Sequence, residues 1–357
     1  MAASREYHRN RGRGAGSNET SRYVRNAREA VDDGWFSDGD VSPQTRIYVD
    51  ASRTIITRNQ SPDVPFEYSV NPYKGCEHGC IYCFARPTHA WLDLSPGLDF
   101  ETRIFTKPDA PELLERELSG KHYRPAVIAL GANTDAYQPI ERKLGITRRI
   151  LEILKSFRNP AAIVTKSALI ERDIDLLAAM ARDNLVQVMV SVTSLDAELA
   201  RCMEPRAVAP QGRLQVIRKL AAAGIPVGVL FAPVIPALND HEMETVLAEC
   251  AAAGATSAGY VVLRLPHEVK DLFKDWLTEY YPLKAGHVMS RIRDLRNGHE
   301  YESRFGQRMS GSGHYATLIA RRFTLACRKS GLDRPRSSLD CSGFAVPSAS
   351  GDQLGLF

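Results

Sequence analysis

Three cysteines, Cys76, Cys80 and Cys83, stand within eight residues in the segment NPYKGCEHGCIYCF. A spacing of three residues and then two puts three thiolates on one tight loop, where each can take one iron of a cubane cluster. No fourth protein ligand stands nearby, so one iron is left open to an external group. Zinc is the rival, since His78 would complete a Cys₃His set. A structural zinc site usually draws its ligands from two separated halves, however, and here all the candidates lie on one loop. The other four cysteines, Cys202, Cys250, Cys327 and Cys341, are scattered and form no CxxC, which reads as buried structural cysteine.

The elements that must position such a loop alternate along the chain. β-rich runs at 66–70, 126–130, 161–165, 186–192, 225–231 and 258–263 are separated by helical stretches at 146–157, 170–182, 212–223 and 242–252, with another at 269–280. Several of the strands are near-continuous apolar runs, as expected of parallel strands buried on both faces. Gly224 and Gly254 fall where glycines terminate helices. Six repeats predict an α/β fold, a partial parallel (β/α)₆ barrel of the TIM type, with its chemistry at the C-terminal ends of the strands. The first strand is followed by the cysteine loop. The second is followed by Asn133, Thr134 and Asp135, the third by Lys166 and Ser167 after Thr165, and the fourth ends near Ser191. After the fifth, Asn239 and Asp240 are expected to cap the next helix. No G-x-G-x-x-G or Walker segment is present.

GCEHGCIYCF resembles the signature of the radical S-adenosylmethionine (radical SAM) superfamily. Together with NTDAYQPIE, VTKS and SVTS it is most similar to the branch that includes spore photoproduct lyase, over about residues 65–270. The flanking RGRGAGSN, SPGLDFETRIF and SRFGQRMSGSGHYA resemble an uncharacterised bacterial subgroup of that superfamily. The resemblance implies one [4Fe–4S] cluster on Cys76, Cys80 and Cys83, whose open iron chelates the amino and carboxylate groups of S-adenosyl-L-methionine. It implies reductive cleavage to a 5′-deoxyadenosyl radical that takes a hydrogen from the substrate, and a reductant such as flavodoxin or ferredoxin. On the same ground Tyr82 is expected near the adenine and Asp135 at the cofactor ammonium. Lys166 is expected at its carboxylate, Ser191 at ribose or carboxylate, and Thr134 at the barrel mouth. In the lyase a cysteine after the second strand returns a hydrogen to the product radical. The matching position here is Ala132, and a tyrosine after the last cluster cysteine is replaced by Phe84. The cofactor machinery therefore carries over and the lyase's quenching step does not.

The chain has 357 residues, of which 44% are hydrophobic, enough for a sizeable core. It contains no apolar run long enough to span a bilayer, and the N-terminus lacks a signal-peptide pattern, so no membrane association and a cytoplasmic location are expected. The domain expectation is a loose polar arm over 1–45, a core with its entry segment over 46–280, a basic extension over 281–346 and a flexible tail over 347–357. Net charge is only +4, yet residues 284–336 hold twelve Lys or Arg against four acids, a net of +8, with Tyr301, Phe305, His314 and Tyr315 interleaved. That pattern suggests nucleic acid as substrate, and with the lyase resemblance it implies a DNA repair-like role. The alternatives are modification of a protein or small molecule, and a non-catalytic Fe–S or zinc module that binds nucleic acid. The terminal Gln353-Leu354-Gly355-Leu356-Phe357 resembles the pentapeptide by which bacterial repair proteins dock on the sliding clamp.

Overall fold

The computed structural model describes residues 10, 12–23, 43–333 and 338–347. The tail motif at 353–357 lies outside them. Ten strands occur among the described residues: β1 (Arg46–Val49), β2 (Ile56–Arg58), β3 (Tyr68–Val70), β4 (Tyr73–Lys74), β5 (Arg103–Thr106), β6 (Ile128–Leu130), β7 (Ala161–Thr165), β8 (Val186–Ser191), β9 (Val227–Val234) and β10 (Ser257–Val262). Seven of them form one sheet in the order β10-β9-β8-β7-β6-β3-β2. The six expected strands are neighbours in that sheet, pairing in parallel and in sequence order, while β2 adds an antiparallel edge to β3. β2 and β10 end the order, so the hydrogen-bonded sheet is open. The chain is thus a mixed α/β fold on a parallel sheet.

Local chemistry accounts for the differences from the expected bounds. β9 begins at Val227 because the amide of Ile225 closes back onto the carbonyl of Leu220 at 3.0 Å, and Pro226 has no amide to give a ladder. The helix expected at 170–182 starts as a 3₁₀ turn, Ala168–Asp173, capped by the Ser167 hydroxyl, and becomes α-helical only over Ile174–Arg182. Gly224 and Gly254 terminate their helices at positive φ, +74° and +108°. Asn239 does not cap with its side chain. It accepts from the amide of Ile235 at 2.7 Å and donates to the carbonyls of Thr193 and Pro233, stitching the loop after β9 to the loop after β8.

A second, three-stranded sheet in the order β1-β5-β4 interrupts the β/α alternation between β3 and β6. Its strand β4 leads directly into Gly75 and Cys76. The hydrophobic interior falls into a main core around the large sheet and a second one, built from Ile235, Leu263, Phe273, Trp276 and Val288, in which Ile81 and Tyr82 of the cysteine loop are embedded. Within the basic extension, helix Gly313–Ser330 packs Ile319 and Ala326 into the main core, and Phe323 lies 4.7 Å from the ring of Tyr260 on β10. Within 12–23, read from composition as part of a loose arm, residues 13–16, Glu19 and Ser21 are buried, Ala15 fully and Arg13 nearly so.

Gly131 closes β6 just before the Ala132–Asp135 turn, at φ +80°, and a Cβ there would meet the carbonyl oxygen of Val164 at 2.2 Å. Gly131→Ala therefore combines a disfavoured backbone conformation with a clash against β7. It should destabilise the chain by more than about 1 kcal/mol in urea denaturation.

Candidate functional site

The cysteine loop is held by its own backbone and by one buried ion pair. Cys76 donates its amide to the Phe100 carbonyl at 3.0 Å, Cys83 to Cys80 at 3.2 Å, and Ile81 to Met203 at 3.0 Å. Arg86, wholly buried, donates Nε to the Cys80 carbonyl at 2.9 Å and Nη2 to that of Gly79 at 3.1 Å. Its Nη1 reaches the carbonyls of Pro96 and Gly97 at 3.1 and 2.9 Å. Its charge is balanced by Glu101, also fully buried, whose oxygens accept from the amides of Gly14 at 3.0 Å and Ala15 at 2.9 Å as well. The loop, the 12–23 segment and the short helix Leu98–Thr102 thus share one carboxylate. The packing is tight enough to exclude a Cβ at two points: one on Gly14 would overlap the Gly79 carbonyl oxygen at 1.8 Å, and one on Gly79 would meet Glu101 at 2.7 Å. On the other side, Gln138 donates to the Gly75 carbonyl at 3.1 Å and accepts from the Glu77 amide at 2.9 Å.

All three thiols are free. Burial pushes each of them up; Asp135 and the other two sulfurs add to the effect at Cys76, and Glu204 adds to it at Cys80. Arg86 opposes it at Cys83, and the Lys166 ammonium opposes it at both Cys80 and Cys83. Three buried sulfurs whose thiolates repel one another are a donor set suited to a cationic iron cluster. Among the described residues no three His, Cys, Asp or Glu side chains form a preassembled group for a single metal ion. His78 is buried, its basicity lowered chiefly by burial, and its Nδ1 lies 3.4 Å from Asp135.

Lys166, Ser191 and Tyr82 come together. Lys166 Nζ donates to Ser191 Oγ at 3.0 Å and sits 5.9 Å from the centroid of the Tyr82 ring, so the loop and the ends of β7 and β8 face one space. Asp135 is differently employed. It accepts from the Tyr137 amide at 2.8 Å, the Thr165 hydroxyl at 2.8 and 3.1 Å, and the Lys166 amide at 2.8 Å, which locks the β6 turn to the end of β7. Thr134 turns inward, donating to the Tyr73 carbonyl at 2.9 Å, and so braces β4.

Composition and spacing did not single out Arg86, Glu101, Gln138 or the pair Glu204 and Arg213. Glu204 is buried, accepts from Thr193 at 2.8 Å, and is bonded by both the Tyr82 hydroxyl and Arg213. Burial raises its pKa, and Arg213 works against that rise. Arg213 in turn donates to the Ser191 carbonyl at 3.0 Å. Two of these residues fall in segments that carry the resemblance, Glu101 in SPGLDFETRIF and Gln138 in NTDAYQPIE.

The basic stretch is less free than its charge count implied. Arg293 pairs with Glu300, Arg304 with Glu302, Arg308 with Asp63 and Arg322 with Glu244. Arg296 is spent on the carbonyls of Gln307 and Leu263. Arg334 and Arg336 lie outside the described residues.

Glu101→Ala would leave the Arg86 guanidinium buried with no counter-charge, a change that costs about 3–5 kcal/mol. We expect a loss of that size in chemical denaturation of the metal-free protein, with early protease cleavage near residues 12–23, whose amides Glu101 holds.

The model of the family described as "Radical SAM superfamily" matches residues 70–250. An uncharacterized protein of Mycobacterium tuberculosis H37Rv, Rv2578c, is 39% identical over 234 residues, covering 65% of this chain and 68% of its own length. An uncharacterized protein of Methanocaldococcus jannaschii, MJ0683, is 29% identical over 177 residues, covering 49% of this chain and 63% of its own. Among solved structures, a spore photoproduct lyase mutant with bound AdoMet and dinucleoside spore photoproduct superposes with a TM-score of 0.58. It is 16% identical and covers 79% of this chain and 78% of its own, a likeness of fold. No helix among the described residues is long and apolar enough to cross a membrane. With the cysteine triplet, the parallel sheet and a family model spanning half its length, the chain belongs to the radical SAM superfamily.

Proposed function

We propose that this protein is a radical SAM enzyme that takes a hydrogen atom from a nucleic-acid substrate, on a partial (β/α)₆ barrel, in the cytoplasm. The observation that carries this reading is the convergence of three free cysteines with Lys166, Ser191 and Tyr82 at the C-terminal ends of adjacent parallel strands. Cys76, Cys80 and Cys83 would hold one [4Fe–4S] cluster. When bound, the cluster and S-adenosyl-L-methionine supply the electron and the 5′-deoxyadenosyl radical that abstracts hydrogen. The protein's part is to place the cofactor and shield it.

Lys166 is the cation of the site, and its ammonium is held by Ser191 at 3.0 Å, ready to meet a carboxylate. Tyr82 offers its ring, while its hydroxyl is fixed on buried Glu204. Asp135 already accepts four hydrogen bonds from protein groups, so its role toward the cofactor is to set the Lys166 backbone rather than to bind the ammonium. Thr134 acts in the same indirect way through β4. A low-potential protein such as flavodoxin or ferredoxin would deliver the electron. Docking on a bacterial sliding clamp through Gln353–Phe357 rests on the sequence of that segment alone.

Anaerobic reconstitution should give about four iron and four sulfide per chain. Cys76→Ala, Cys80→Ala or Cys83→Ala should each abolish the brown chromophore, and zinc in place of iron would overturn the cluster assignment. With dithionite and S-adenosyl-L-methionine the intact protein should produce 5′-deoxyadenosine. Lys166→Ala should keep the cluster but weaken cofactor binding by about 1.5–3 kcal/mol, the range for a hydrogen bond to a charged group. Asp135→Asn should weaken it less. Equal affinity of Lys166→Ala and the intact protein in a spectroscopic titration would refute the Lys166 role.

A further inference from the structure

The rim beside the cysteine loop carries large exposed aromatic side chains, three of them with an arginine against the ring. Phe84, the residue after Cys83, is 44% exposed, and the Arg264 guanidinium lies 5.0 Å from its centroid. Tyr23 is 54% exposed with Arg22 at 4.7 Å, and Phe305 is 57% exposed with Arg308 at 4.5 Å. Trp91, at 69%, donates its indole N–H to the Tyr23 hydroxyl at 3.2 Å. These groups form one connected strip. Arg22 is bonded to Glu268 at 2.9 Å, Arg264 stands four residues before Glu268, and Arg264 Nη1 lies 3.6 Å from the Met309 sulfur, next to Arg308. Arg22 and Phe84 meet on the 263–268 segment that follows β10, at the end of the sheet where Lys166 and Ser191 lie; Trp91 joins through Tyr23, and Phe305 through Arg308, which is bonded to Asp63 and Ser61.

Exposed aromatics of this size are normally buried, and a run of them marks a recognition surface. The charges on the strip decide what it fits. Arg22 and Arg308 already have acid partners in Glu268 and Asp63, so they stiffen their rings more than they attract anions. Arg264 makes no ion pair among the described residues, although its charge reaches Asp63, and its buried Nε has no hydrogen-bond partner. Beside it opens a cleft of about 510 Å³ lined by His267, Lys270, Arg293, His299 and Tyr301, with Glu300 paired to Arg293 as its one acid. Flat π faces spaced along a strip, with few unpaired cations, match a ligand that presents several planar rings and a modest charge to the surface.

We propose that this strip binds single-stranded or locally unpaired nucleic acid. Bases stack on Trp91, Tyr23, Phe84 and Phe305, and backbone phosphates meet Arg264 and Lys270. The proposal deepens the nucleic-acid reading above and rests on it for the substrate's role, but binding is measurable without turnover. Because only two cations on the strip are unpaired, stacking should carry the affinity, and the dependence on salt should be shallow, a log–log slope of about −1 to −2.

The test uses tryptophan fluorescence. Of the three tryptophans, Trp91 is exposed and Trp276 is fully buried. Short single-stranded DNA or RNA should quench the emission. Trp91→Phe should lose most of the quench while keeping the affinity, whereas Trp91→Ala and Phe305→Ala should each bind about 10-fold more weakly. Duplex DNA and inorganic polyphosphate should bind far less well. Formation of 5′-deoxyadenosine by the intact protein without oligonucleotide is measured in parallel, so loss of oligonucleotide binding is separable from failure of the radical SAM reading. Absence of binding to single strands at low salt, equal affinity of Trp91→Ala and the intact protein, or equal affinity for polyphosphate and oligonucleotide would each overturn the proposal.

Discussion

The site depends on a buried charge pair. A loop that must hold three thiols close together needs a fixed shape, yet it has almost no regular secondary structure to supply one. Arg86 and Glu101 supply it from inside: the guanidinium gathers four carbonyls, two of them from the loop, and the carboxylate gathers two amides of the 12–23 segment. Burying both charges costs several kcal/mol of hydration, and their attraction repays it only because nearly every polar atom is also hydrogen-bonded. The gain lies in geometry. A bent, multiply bonded pair admits few alternative loop shapes, and a hydrophobic pair of similar volume would not specify one in the same way.

The same device recurs on the opposite side of the loop, with a different purpose. Glu204 and Arg213 form a second buried pair, and from it Tyr82 and Thr193 are held by their hydroxyls. Asp135 forms a third polar node, bonded to Thr165 and Lys166 and close to His78. The three carboxylates surround the thiols, and the electrostatic consequence is mixed. Asp135 and Glu204 raise the cost of ionising Cys76 and Cys80, whereas Lys166 and Arg86 lower it at Cys80 and Cys83. With burial raising all three thiols, a nearby cation is what would favour their thiolates.

Charge and hydrophobicity are distributed on the surface in a way that composition hides. The basic C-terminal stretch reads as a polyanion-binding extension, yet Arg308 and Arg322 are paired with Asp63 and Glu244 from elsewhere, and Arg291, Arg293 and Arg304 with acids of the stretch itself. Aromatic residues follow the opposite course. Trp91 and Tyr23 are ordinary in sequence, and folding leaves them exposed together at the rim.

The spacing of Cys76, Cys80 and Cys83 determined by itself that three thiols share a loop, because eight residues cannot carry them far apart. The apolar runs determined six parallel strands, since period and burial are local properties, and Gly224 and Gly254 marked their helix ends because only glycine enters that backbone region cheaply. Lys166 and Ser191 followed from the strand ends on which they stand. The tertiary structure alone decided the rest. Arg86 meets Glu101 across 15 residues, and Glu101 meets Gly14 across 87. Asp135 became a brace rather than a free acceptor because β7 presented Thr165 and the Lys166 amide to it. In each case a side chain's role was set by which donors arrived from distant parts of the chain, and a buried carboxylate takes every donor within reach because leaving its oxygens unsatisfied is so costly.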